Sequence, residues 1–100
     1  MSLPTKRSRE RTVYEVLKII ADGHQRPTNI MYNANVSWSI LQRILGLLTK
    51  NSMITEHQYG KRKAYKIASE GKAFVESYEE FYEGKYKKLF AEETLNEVFS

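Results

Sequence analysis

Apolar residues recur along this 100-residue chain at two different periods, and the switches between them mark out its segments. Val13, Val16, Leu17 and Ile20 fall at i, i+3, i+4 and i+7, one face of a helix predicted from Ser8 to Ala21. Ser8 stands where an N-cap belongs, and Gly23 where the residue after the last turn belongs. Beyond the loop of residues 22–27, Thr28 is the candidate cap of a short second helix from Thr28 to Asn33. Ile30, Met31 and Ala34 are its inward positions. Asn33-Ala34-Asn35-Val36 is turn chemistry, because Asn tolerates the left-handed backbone region better than other non-glycine residues. Ser37 then caps a third helix ending at Lys50 or Asn51, in which Leu41, Ile44, Leu45 and Leu48 repeat the helical spacing.

At Ile54 the period falls to two. Ile54, Glu56 and Gln58 alternate with Thr55, His57 and Tyr59; Lys63, Tyr65 and Ile67 alternate with Ala64 and Lys66. Gly60 lies in the turn between the runs, so the segment reads as a β-hairpin. From Ser69 the helical period returns, with Phe74, Tyr78 and Phe81 on one stripe and Val75, Tyr82, Tyr86 and Leu89 beside it. A single helix reaching Phe99 would be about 45 Å long. Gly84 interrupts it, at about 1 kcal/mol relative to Ala, and Thr94-Leu95-Asn96-Glu97 is itself a capping box. One helix and two both fit these residues. The order helix, helix, tight turn, helix, hairpin, helix is the winged helix-turn-helix plan, α+β but mostly α, with a long C-terminal helix.

The polar face of the third helix is unusual. Ser39, Gln42, Arg43 and Gly46 line it without a carboxylate, in a chain with 12 Asp and Glu. In a helix-turn-helix this face meets base edges and phosphates, where a carboxylate would be repelled. Gln42 has the geometry for an adenine edge and Arg43 for a guanine edge. Ser37 and Ser39 are short donors near a helix N-terminus, itself an anion site, and Gly46 permits close approach. Lys61, Arg62 and Lys63 put three cations at the hairpin tip, where a wing reaches the minor groove or flanking backbone. Thr28 and Asn29, opening the second helix, would donate to a phosphate. The plainer alternatives are a solvated face and a solubilising turn. Trp38 reads as a core-edge residue, Tyr32 and Met31 as core or turn packing, and His24 and His57 as solvated. Lys6, Arg7 and Arg9 form either a minor-groove arm or an unstructured lead.

Charge reinforces the DNA reading. Residues 1–72 carry 13 Lys and Arg against 5 Asp and Glu, whereas residues 73–100 carry 3 against 7. A basic body draws polyanions and an acidic tail is held away from them. The absence of cysteine excludes disulfide and thiol chemistry. His24 and His57 lack partners at ligand spacing, so no metal is expected, and no cofactor or small-molecule ligand is evident. Without a nucleophile–base pair, a glycine-rich phosphate loop or a useful carboxylate pair, the chain reads as a non-enzyme. Glu76, Glu79, Glu80 and Glu83 read as a solvated flank. Apolar runs of a few residues fall far short of the roughly 20 that span a bilayer, and no secretory segment is visible. A cytoplasmic, nucleoid-associated location is therefore expected.

Several less common residues stand in register with a known family. Thr28, Met31, Tyr32, Ala34, Asn35, Ser37 and Trp38, followed by Tyr65, Ile67 and Gly71, resemble the archaeal winged helix-turn-helix family of predicted transcriptional regulators. That family includes a small Sulfolobus DNA-binding protein that dimerises through an antiparallel coiled coil. The resemblance covers about Arg9 to Tyr82, with Ala68-Ser69 in place of the usual Thr. It implies a basic arm (1–8), a DNA-binding domain (9–68) and a dimerisation segment (69–100). The implied partner is double-stranded DNA, bound by a transcriptional regulator or chromatin-associated protein. Phe74, Tyr78, Phe81, Tyr82, Tyr86, Leu89 and Phe90 supply rings and a branched side chain suited to a homodimer contact. A winged-helix protein-interaction module is the alternative. RNA binding rests on charge alone, because no aromatic platform on a sheet is evident.

Overall fold

A computed structural model describes residues 6–84, 87–88 and 92–99. Their order is α1 (Lys6–Ala21), α2 (Pro27–Ala34), α3 (Trp38–Lys50), β1 (Ile54–Tyr59), β2 (Arg62–Ile67), α4 (Ser69–Tyr82) and α5 (Glu92–Phe99). α1 starts two residues before the predicted cap, so Ser8 lies inside the helix. α2 also starts early. Pro27 takes the first helical position and Arg26 the N-cap, with φ −83° and ψ 136° and no side-chain cap bond. Proline's preset φ suits that position, and its missing N–H is one that the first turn leaves unpaired anyway. Thr28 is therefore not the cap. Asn35 closes α2 in the left-handed region (φ 54°, ψ 47°), as its chemistry predicts. Ser37 caps α3 as expected, its Oγ accepting from the Ile40 N–H at 3.2 Å.

β1 and β2 pair antiparallel with Ile54 opposite Ile67 and Tyr59 opposite Arg62. Gly60 and Lys61 make the connection, and Gly60 takes φ 62°, the positive value that the first position of such a turn requires. The alternation in β2 breaks at Ala64 and Tyr65, neighbours that are both buried. Tyr65 enters the core, while Ala64 lines a cleft with the 23–26 loop. The Tyr65 N–H donates to the Gln25 carbonyl at 2.9 Å, which ties that loop to the hairpin.

The core draws on every element of the body. Val16 and Leu17 of α1, Ile30 of α2, Leu41, Leu45 and Leu48 of α3 and Ile54 of β1 are almost wholly enclosed. Each such side chain is worth about 1.5–3 kcal/mol relative to full exposure. The helical ones among them are positions that the 3.6-residue period selects, and Ile54 opens the period-two run of β1. Tyr32 is a correction: 78% exposed, it packs neither in the core nor in the turn. Trp38, at the core edge by its spacing, is 49% exposed.

α4 closes the body against α1. The Tyr14 and Tyr78 rings stack with centroids 4.2 Å apart, and Tyr82 lies 4.5 Å from Tyr78. The Tyr14 hydroxyl donates to Glu79 Oε2 at 2.6 Å, and Lys18 Nζ stands 3.4 Å from the same oxygen. Arg11 pairs with Glu83 at 2.8 Å and with Glu15 at 3.0 Å. Glu79 is thus not part of a solvated flank: half-buried, it fastens α4 to α1, whereas Glu76, Glu80 and Glu83 are exposed, Glu83 with Arg11 as a surface ion-pair partner. Nor is there one long helix. α4 has 14 residues and stops at Tyr82, with Glu83 at φ −127°. Carboxylates crowd its C-terminal end and no cation occupies its last turn, which opposes the helix dipole; Gly84 follows immediately.

This fastening carries a pH signature. The Tyr14 hydroxyl, and then Lys18, hold the Glu79 carboxyl below its ordinary value of about 4.5. A depressed carboxylate pKa stabilises the fold above the unfolded value, and that stability is lost as pH falls through the folded one. The stability gap between wild type and Glu79→Gln should therefore be open at pH 7 and narrow as pH falls below the ordinary carboxylate value of about 4.5. Urea unfolding at pH 7, 5 and 3 measures it; a gap independent of pH would count against a charged role for Glu79.

Candidate functional site

α3 turns two unlike faces to its surroundings. Leu41, Ile44, Leu45 and Leu48 are buried, and Ser39, Gln42, Arg43, Gly46 and Lys50 are exposed on the far side. A Cβ placed on Gly46 would meet nothing within 4 Å, so this face is open. No carboxylate lies anywhere on α3. Leu47 flanks the polar face and is itself 52% exposed. Ser37 sits at the N-terminal end of the same helix, exposed, with its Oγ already accepting the cap bond.

Thr28 and Asn29 are exposed in the first turn of α2. Asn29 shares a cleft of about 420 Å³ with Arg62 and Lys63 of the hairpin, the other walls being the 23–26 loop, Tyr59 and Ala64. One groove therefore brings together three of the residues singled out from the sequence. Ser37, Ser39, Gln42 and Arg43 of α3 do not line it, nor does Lys61 at the turn.

The cations differ in how far they are already neutralised. Lys63 Nζ is 3.1 Å from Glu56 Oε1, a diagonal pair across the hairpin, and this hydrogen bond holds the ammonium above its ordinary pKa. Arg26, Arg43, Lys61 and Arg62 have no ion pair or side-chain hydrogen bond among the described residues. Arg26 was not singled out by spacing, because a lone arginine before a proline carries no periodic signal. Its place at the N-cap of α2, beside a hairpin more than 30 residues later in the chain, emerges only from folding.

In the C-terminal segment, Tyr78 is buried inside the body, and Phe74 and Tyr82 pack partly buried against the core. Phe81 is 48% exposed, and Val98 and Phe99 of α5 are more exposed still. Tyr86, Leu89 and Phe90 lie outside the described residues. Among the described residues, no helix is long and apolar enough to cross a membrane, and no group of three His, Cys, Asp or Glu could hold a metal ion.

Three helices, with the third exposing a polar face and a two-stranded hairpin following it, define a helix-turn-helix protein with one wing. The chain belongs to the winged helix-turn-helix family, whose model matches residues 6–85. An uncharacterized protein of Methanocaldococcus jannaschii, MJ0287, is 31% identical over 78 residues, 78% of this chain and 76% of that protein. A second from the same organism, MJ0290, is 28% identical over 82 residues; the match spans 81% of this chain but 37% of that one. Among solved structures, Sso10a-2, a DNA-binding protein from Sulfolobus solfataricus, superposes with a TM-score of 0.70 at 22% identity, over 89% of this chain and 93% of that chain. MepR, a transcription regulator of a Staphylococcus aureus multidrug efflux pump, superposes with a TM-score of 0.68 at 13% identity, over 93% and 78%. At these identities the two structures show the shared fold.

Proposed function

We propose that this protein binds double-stranded DNA as a transcriptional regulator or chromatin-associated protein, with α3 in the major groove and the hairpin on flanking backbone or in the minor groove. The observation that carries this is the open, carboxylate-free face of α3, accompanied by four cations without ion partners among the described residues. A protein surface leaves such charge uncompensated at some cost, and a polyanion removes that cost. In this reading Gln42 and Arg43 meet base edges, and Ser37 and Ser39 bond to phosphates or bases near the start of α3. Thr28, Asn29, Lys61, Arg62 and Lys63 hold the backbone. Residues 9–68 carry the DNA contacts and α4 completes their core, residues 1–8 lead in as a basic segment that enters α1 at Lys6, and the assembly surface belongs to the part of residues 69–100 beyond α4. No catalytic role, metal or cofactor enters the reading. A second copy of this chain is the proposed assembly partner, with Val98 and Phe99 as exposed apolar surface for it.

Selection of bound sequences from a random duplex pool, with the mass of the complex read by light scattering, tests the whole. Affinity should fall steeply as salt rises, with a slope of about 0.9 per phosphate neutralised. Lys61→Ala should make that slope shallower by about one and leave the selected sequences unchanged. A chain that fails to bind duplex even at low salt, and instead holds a heterologous protein through its C-terminal residues, would establish the interaction-module reading in its place.

A further inference from the structure

The cleft between α2 and the hairpin is more than the meeting point of residues already named. Its walls come from three separate segments: the loop with His24 and Arg26, the first turn of α2 with Asn29, and the hairpin with Tyr59, Arg62 and Lys63. Among the described residues, no carboxylate lines it. Glu56 already engages Lys63 from the hairpin, which leaves Arg26 and Arg62 as guanidinium groups with no ion partner among the described residues. The arginine fork is matched to phosphate geometry, with two parallel N–H donors for two oxygens. Asn29 adds a neutral amide, and Tyr59, 56% exposed, adds an apolar wall of the kind that a sugar ring can cover.

We infer that this cleft is a binding site for a single phosphate group, with Arg26 and Arg62 as its principal ligands. Arg26 is thereby a binding residue in its own right. Its backbone supports that role: as the N-cap of α2 it is extended, and its carbonyl accepts from the Ile30 N–H at 3.0 Å. The Gln25 carbonyl beside it is held by the Tyr65 N–H of β2. The loop that carries Arg26 is thus anchored to both walls, so the backbone positions from which the two arginines reach into the cleft are set before any ligand arrives. The phosphate comes either from the backbone of a bound duplex, in which case the inference rests on the DNA-binding reading above, or from a free phosphate compound that would compete with the duplex for Arg62 and Asn29.

Arg26→Ala and Arg62→Ala, each confirmed folded by its thermal melt, separate these cases. The probes are a duplex selected from a random pool and inorganic pyrophosphate. If the source is the DNA backbone, Arg26→Ala weakens duplex binding about tenfold and lowers the salt slope by about 0.9, with the selected sequence unchanged. Millimolar pyrophosphate then does not displace the duplex beyond its contribution to ionic strength. If the source is a free phosphate, pyrophosphate shifts the amide resonances of residues 24–29 and 59–64 in wild type, displaces duplex at matched ionic strength, and does neither in the two variants. Binding of pyrophosphate without any binding of duplex supports the phosphate site while removing the DNA reading. Duplex binding that both variants retain with an unchanged salt slope, together with no resonance shift by pyrophosphate, overturns the phosphate site and leaves the DNA reading intact.

Discussion

Replacing Arg43 with Glu should reduce duplex affinity at least a hundredfold at 0.15 M salt while leaving the melting temperature within a few degrees of wild type. Arg43 is exposed on the far side of α3 from Leu41, Ile44, Leu45 and Leu48, and no described residue forms an ion pair with it. The fold therefore loses little with the guanidinium. The complex loses a cation and gains an anion at the same point. Two unit charges 4 Å apart interact by about 1 kcal/mol in bulk water and about 4 kcal/mol near a protein surface. Reversing one charge against several phosphates therefore exceeds the roughly 2.7 kcal/mol that a hundredfold loss requires, since tenfold is about 1.36 kcal/mol. Arg43→Ala is the milder companion, expected to cost about 1–3 kcal/mol and to relax preference at one base pair. Fluorescence anisotropy with a selected duplex measures both. Unaltered binding by the Glu variant would mean that another surface meets the DNA.

Gly71→Ala should lower the melting temperature by on the order of 10 °C, a large effect for one methyl group in a helix. Gly71 is buried in the first turn of α4, where α4 crosses the start of the hairpin. A Cβ there would run into the Met53 carbonyl oxygen and lie 2.7 Å from Ile67 Cδ1. The Ile67 side chain has room to turn, but the Met53 backbone does not. Its carbonyl accepts from the Ala68 N–H at 2.9 Å, and its own N–H donates to the Leu48 carbonyl at 2.9 Å. α4 would have to move outward instead, disturbing the Tyr14–Tyr78 stack and the Tyr14–Glu79 bond that fasten it to α1. Overpacking of this kind costs about 1–3 kcal/mol, and each kcal/mol shifts the midpoint by about 4–8 °C at this size. Calorimetry checks it. An unchanged midpoint would show that the crossing has slack.

These two positions mark how far sequence alone reaches. Arg43 is legible because a helix has only one exposed side once Leu41, Ile44, Leu45 and Leu48 define the other; its exposure follows from period and needs no partner to be known. The same holds for the Ser37 cap, the left-handed Asn35 and the Gly60 turn, each set by the covalent chemistry of one residue. Gly71 also stood out in the chain, but only as part of a resemblance; the reason for its missing side chain is a carbonyl 18 residues away.

What local pattern could not decide has a common character. Glu79 and Glu83 read as a charged flank, yet they meet Tyr14 and Arg11 across separations of 65 and 72 residues. Tyr32 and Tyr78 are the same residue type with opposite fates, 78% and 8% exposed, because a ring with a hydroxyl suits either side of a surface. Arg26 belongs to a cleft only once β2 folds back beside α2. The chain by itself determined which elements form and which face of each turns inward, since those depend on backbone propensity and on spacing within a few residues. Which elements touch, where α4 stops and which charges remain uncompensated were decided by tertiary packing, because those energies arise between groups whose proximity no local spacing encodes.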